Sequence, residues 1–154
     1  MFIGTTADRS AGRREFIMKE IITKSSEETQ KFAEDFAQKL KPGTVLLLIG
    51  ELGAGKTTFV QGLAKGLGIT ERPNSPTFVV INEYQGNQRL VHIDLYRLEN
   101  PDEISDLGLE EYFASDAIVV IEWGERLGEL TPSGCVKIKI EAIGDAERKL
   151  EINN

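Results

Sequence analysis

The stretch Gly50-Glu51-Leu52-Gly53-Ala54-Gly55-Lys56-Thr57 fits G-x-x-x-x-G-K-[ST] at every fixed position. It is preceded by the aliphatic run "TVLLLI" and followed by "TFVQGLAKGLG", beginning at Thr58, with apolar residues at helical spacing. A buried strand feeding a glycine loop that opens a helix is a narrow structural commitment. It places the loop at the carboxyl end of a strand in an α/β sheet, where backbone N–H groups can turn inward around a phosphate. Lys56 then reaches the β- and γ-phosphates of a nucleotide, and the Thr57 hydroxyl is placed to ligate Mg²⁺.

The rest of the chain is consistent with that start. "KEIIT" reads as a short strand, and the helix after it is announced by Ser25 and Glu28 in capping-box spacing, by Phe32, Phe36 and Leu40 in register, and by Pro42-Gly43 as a stop. "TVLLLI" and "AIVVIE" are apolar throughout, as strands buried on both faces of a parallel sheet are. "SPTFVVINEYQGNQRLVHIDLY" predicts a hairpin turning at Gly86-Asn87, and "CVKIKIEAIGDAERKLEI" a second one around Gly144-Asp145 with one solvated face. Between them a mostly helical crossover starts near Pro101. Residues 1–17 carry basic residues without a following apolar stretch, which excludes a secretory signal and predicts a disordered leader, with one domain over 18–154.

A phosphate loop needs an acid from a neighbouring strand end to complete a metal shell. Two are available: Glu122 at the tip of "AIVVIE" and Asp94 in "LVHIDLY". Either can hold Mg²⁺, directly or through water, and the other can orient or deprotonate an attacking water. Strand-end position does not decide between them. His92, the single histidine, shares a strand face with Asp94; Arg97 lies just beyond it. Trp123 follows Glu122 and, on strand alternation, faces the other way, toward core or partner packing. Thr77 in "NSPTF" occupies the place of a switch threonine after the loop helix.

Composition narrows the partners. A net charge of −7 over 154 residues, with cations paired to acids as in Glu71-Arg72 and Glu147-Arg148-Lys149, argues against a bare nucleic-acid-binding face. The single cysteine, Cys135, excludes an internal disulfide and a cysteine-cluster metal site, as expected of a cytoplasmic protein. No apolar run approaches the roughly 18 residues of a membrane span. The chain lacks the N/T-K-x-D and D-x-x-G motifs of a guanine-nucleotide switch, and has little room for the lid and second pocket of a small-molecule kinase. ATP is therefore the expected nucleotide.

The motifs "GELGAGKTTFVQGL", "NSPTF", "HIDLYRL", "DLGLEEYF" and "IEWGERL", in this order, resemble the TsaE family over about Ile21 to Ile152. That resemblance implies a P-loop NTPase-like α/β sandwich, its central sheet mostly parallel with antiparallel hairpin strands added. It implies ATP and Mg²⁺ as cofactors, with Gly50 to Thr58 around the phosphates, Thr57 and Glu122 as metal ligands, and Lys56 and Asp94 as the catalytic pair. Ser25 and Arg148 are the implied contacts to the adenosine end. The implied role is a weak, partner-stimulated ATPase for threonylcarbamoyladenosine formation at position 37 of tRNA. Its partners would be two related proteins of the TsaB and TsaD type, which hold the tRNA. The alternatives are an ATP-dependent docking module for the same complex that does not hydrolyse, and, further off, a small-molecule kinase.

Overall fold

A computed structural model describes residues 2–8, 16–73 and 80–153, with the backbone alone for residues 2–8, 16 and 17. The aliphatic run becomes β3, Val45–Ile49, and the glycine loop leads into α2, Lys56–Gly66. Before them come β1, Phe2–Asp8, β2, Phe16–Thr23, and α1, Ser26–Ala37. After them come the hairpin β4, Ile81–Tyr84, and β5, Leu90–Asp94, then two short helices, α3, Pro101–Ser105, and α4, Leu109–Phe113. Strand β6, Ile118–Glu122, a 3-10 segment Gly124–Leu130, and the hairpin β7, Val136–Ala142, and β8, Arg148–Asn153, complete the chain.

All eight strands lie in one sheet of order β1-β2-β8-β7-β3-β6-β5-β4. The middle is parallel, β3 pairing with both β6 and β7, and β6 with β5. Both flanks are antiparallel. This is the mixed α/β arrangement expected from the apolar runs and the two hairpins. It departs from expectation at the N-terminus: residues 2–8, read from sequence as disordered, run as a strand whose backbone pairs with β2 from Phe2↔Ile22 to Asp8↔Phe16.

Two apolar clusters sandwich the sheet. On one face α1 and α2 cover Leu46, Leu48, Val120, Ile138, Ile140 and Leu150 around Phe59 and Leu63. On the other, Leu47, Val91, Ile93, Val119 and Ile121 pack under Ile104, Leu109 and Leu127 from the crossover and the 3-10 segment. Helix α1 starts where its cap spacing says: the Ser25 hydroxyl accepts from the Glu28 N–H at 3.1 Å, and the Glu28 carboxylate accepts from the Lys24 N–H at 2.6 Å. No helix among the described residues is long and apolar enough to cross a membrane.

Candidate functional site

Strands β3, β5 and β6 end side by side, and register pairs Asp94 with Glu122 and Glu122 with Leu48. The loop after β3 and the start of α2 therefore sit over both acids. Within the loop Gly53 and Gly55 have φ of +79° and +107°, a left-handed backbone that turns neighbouring N–H groups inward and that a side chain would strain. The two major helices differ at their N-termini. Helix α1 has its serine cap and Glu27 and Glu28 in the first turn, whereas α2 begins on Gly55 with no side-chain cap and no acid in its first turn. The α2 N-terminus thus has no side-chain cap, and the positive end of its helix dipole is directed at the loop.

Lys56 spans the loop: its ammonium donates to the carbonyls of Gly50 at 2.6 Å and Glu51 at 2.9 Å and lies 4.2 Å from the Trp123 ring centroid. Burial pulls its pKa below the usual 10.5, opposed by the carboxylates of Glu122, Glu125, Asp94 and Glu51. A phosphate arriving there would favour the charged form. The Thr57 hydroxyl lies 3.3 and 3.4 Å from the two Glu122 carboxylate oxygens. A hydroxyl and a carboxylate at that separation are hard oxygen donors suited to Mg²⁺, which keeps most of its shell for water and phosphate. No group of three acids, histidines or cysteines that could hold a metal ion occurs among the described residues. Asp94 is 8% exposed, and its Oδ1 accepts from the Tyr96 N–H at 3.0 Å. Thr58 is half-buried in the first turn of α2.

The remaining sequence candidates divide. Arg148, at the start of β8, donates from Nε to the Ala54 carbonyl at 2.8 Å and so touches the loop from its far side. Register pairs Thr23 with Arg148, which puts Ser25, two residues on, at the same end of the sheet, serving as the α1 cap. Arg97 is exposed in the turn after β5, and Thr77 lies outside the described residues. Trp123 packs partly buried against the second apolar cluster, as expected, but it is not turned away from the site. Strand β6 ends at Glu122, Trp123 takes φ +60°, and its ring comes to the lysine instead.

Sequence reasoning missed Arg126 and the details of His92. Arg126 donates to the carbonyls of Leu95, at 2.9 Å, and Tyr96, and its guanidinium stands 4.9 Å from the Trp123 ring centroid. It ties the turn after Asp94 to the segment after Glu122; it lies within "IEWGERL", but nothing in its local spacing marks it. His92 Nε2 lies 2.6 Å from a Glu122 carboxylate oxygen, both side chains being buried. A cavity of about 520 Å³ flanks the loop, bordered by Glu51, Leu52, Trp123, Glu125, Lys139 and Glu141.

These features define a mixed α/β protein with a glycine loop between a central strand and a helix, and a lysine, a threonine and two strand-end acids gathered at it. Known proteins carry the assignment further. The family model described as threonylcarbamoyl adenosine biosynthesis protein TsaE matches residues 23–150, and the chain belongs to the TsaE family. It is similar to the tRNA threonylcarbamoyladenosine biosynthesis protein TsaE of Bacillus subtilis, 48% identical over 129 residues that span 83% of this chain and 80% of that one. The protein of the same description from Aquifex aeolicus is 41% identical over 141 residues, 88% of this chain and 96% of its own. The crystal structure of YdiB from Bacillus subtilis superposes with a TM-score of 0.78 at 38% identity, over 92% of this chain and 88% of that one.

Proposed function

We propose that this chain is the ATP-binding and ATP-hydrolysing member of the bacterial machinery that makes threonylcarbamoyladenosine at position 37 of tRNA. In this reading the loop and sheet are those of a P-loop NTPase working in the cytoplasm. The uncapped α2 N-terminus, set over the Thr57–Glu122 pair, carries the reading, and the TsaE relatives supply its biological setting.

The residues take the following parts. The N–H groups of Gly50 to Thr58 surround the phosphates, and Lys56 exchanges its two loop carbonyls for β- and γ-phosphate oxygens. Thr57 and Glu122 hold Mg²⁺, which when bound neutralises charge on the phosphate oxygens. Asp94, held by the Tyr96 N–H, accepts the proton of the attacking water or orients it. Arg148 and Ser25 stand at the adenosine end. The tRNA is held by partners of the TsaB and TsaD type, consistent with a net charge of −7 on this chain.

The test is phosphate release from ATP by the isolated protein and by the protein mixed with the two partners. Release is expected to be weak alone, to rise with the partners, and to fall about a hundredfold or more in Asp94→Ala. Fast release by the isolated chain that the partners leave unchanged would overturn the proposal. Undiminished tRNA modification by an Asp94→Ala protein that no longer hydrolyses would favour the docking-module alternative.

A further inference from the structure

His92 is chemically out of place. Its side chain has no exposed surface, and its strand is paired on both sides, Asn82 opposite it on β4 and Val120 on β6. In that setting a histidine held only for packing would be expected to satisfy both ring nitrogens. Instead Nδ1 is buried with no hydrogen-bond partner among the described residues, while Nε2 makes a 2.6 Å contact with Glu122. The ring is committed to one contact at the expense of the other. Because a carboxylate only accepts, Nε2 is the donor.

Glu122 needs such a donor. It is 3% exposed, and a carboxylate withdrawn that far from water has to be met by hydrogen bonds. The Thr57 hydroxyl reaches both of its oxygens only at 3.3 and 3.4 Å, so the short contact that sets the orientation of the carboxyl group is the one from His92. The imidazole is fully buried on a strand whose backbone is paired on both sides.

We propose that His92 is the positioning residue of the metal site: by donating from Nε2 it holds Glu122 with its free oxygen turned toward Thr57, ready for a divalent cation. This rests on the reading of Glu122 as a magnesium ligand. Partners that orient a ligating carboxylate are typically worth about tenfold to a hundredfold in metal affinity.

The test compares two polar replacements in the full chain. The amide of His92→Gln extends to about the position of Nε2, whereas that of His92→Asn stops near Nδ1. ATP binding is measured by calorimetry in EDTA and across a series of MgCl₂ concentrations, with thermal midpoints by circular dichroism. His92→Gln is expected to keep the wild-type magnesium midpoint, and His92→Asn to raise it about tenfold or more while ATP affinity in EDTA stays the same. A packing role alone would lower thermal midpoints without moving the magnesium midpoint. An unmoved magnesium midpoint in His92→Asn, or one displaced as far in His92→Gln, overturns the proposal while leaving the function intact. A wild-type protein whose ATP binding ignores magnesium overturns the metal reading itself. Should His92→Asn fold poorly, His92→Phe, which fills the ring's place without a donor, is measured instead: a raised magnesium midpoint is expected, and an unmoved one overturns the proposal.

Discussion

The two halves of the sheet handle charge in opposite ways. Strands β5 and β6 are buried at every position and β3 at all but its last, because helices cover one face and the crossover with the 3-10 segment covers the other. In β7 and β8 burial alternates, and the residues between the core positions include Lys137, Lys139, Glu141, Lys149 and Glu151. A strand covered on both faces has few places for an ionised side chain, and β5 and β6 both put theirs at the carboxyl end, as Asp94 and Glu122. A strand covered on one face spreads its charges along its length, where opposite signs pair and water screens them. Charge concentrated at strand ends makes a site, and charge distributed along strands makes a solvated surface.

Truncating one residue in each half gives the most direct test of that difference. Leu48 is fully buried on the parallel side, and Leu48→Ala is expected to cost about 2–5 kcal/mol in urea unfolding. Lys139 lies on the open face of β7, and Lys139→Ala is expected to stay within about 0.5 kcal/mol. Comparable losses would mean that the open face is covered in solution and that the contrast is false.

Helices α1 and α2 cover both halves, so their packing should tie the two together. Gly62 of α2 lies so close to α1 that a Cβ there would run into the Gln30 carbonyl and approach the Ala33 Cβ at 2.7 Å. Gly66 meets Glu34 and Ala37 in the same way one turn later. In Gly62→Ala the overpacking costs about 1–3 kcal/mol. Helix propensity returns up to about 1 kcal/mol, which leaves a net loss on the order of 1 kcal/mol. Hydrogen exchange should show the loosening in β8 as well as in β3. A change confined to α2 would show that the halves are independently supported.

How legible each part was from sequence follows the same division. Double burial leaves an uninterrupted aliphatic run, so β3 and β6 could be read directly, and the terminal position of Glu122 with them. The α1 cap and the strand-to-helix setting of the glycine loop depend on residues close to one another in sequence, and the structure has both where the sequence puts them. What escaped depends on register or on irregular backbone. The contact between His92 and Glu122 arises only once β5 is set beside β6 with His92 opposite Val120, which neither strand encodes alone. The core packing expected of Trp123 holds, but its contact with Lys56 escapes strand alternation, because β6 ends one residue earlier and Trp123 takes a left-handed φ. The 3-10 segment that holds Arg126 bends at Gly128, with φ 52° and ψ −120°, and has no periodicity to detect. The pairing of residues 2–8 rests on backbone hydrogen bonding to β2, for which their composition gives no sign.

The smallest expected effect lies on the open face and concerns Lys149. It stands opposite Glu141 across the β7–β8 pair, at 3.9 Å, and 3.4 Å from Glu151 on its own strand, while Glu20 of β2 is paired with Glu151. The Glu151 hydrogen bond first, then the charges of Glu20, Glu141 and Glu151, raise its pKa above the usual 10.5. A pKa higher in the folded chain than in the unfolded one means that the ammonium stabilises the fold. That contribution is present in full below pH 10.5 and is lost as pH climbs through the raised value. Lys149→Gln should therefore unfold at slightly lower urea than wild type near neutral pH, and the gap should narrow as pH rises beyond 10.5 through the raised value. Salt at about 1 M should narrow it as well, because at this partly exposed surface site the interaction is screened within a few ångströms. A gap unchanged by both pH and salt would mean that Lys149 acts through its alkyl chain, so that the open half would owe its stability to packing, as the covered half does.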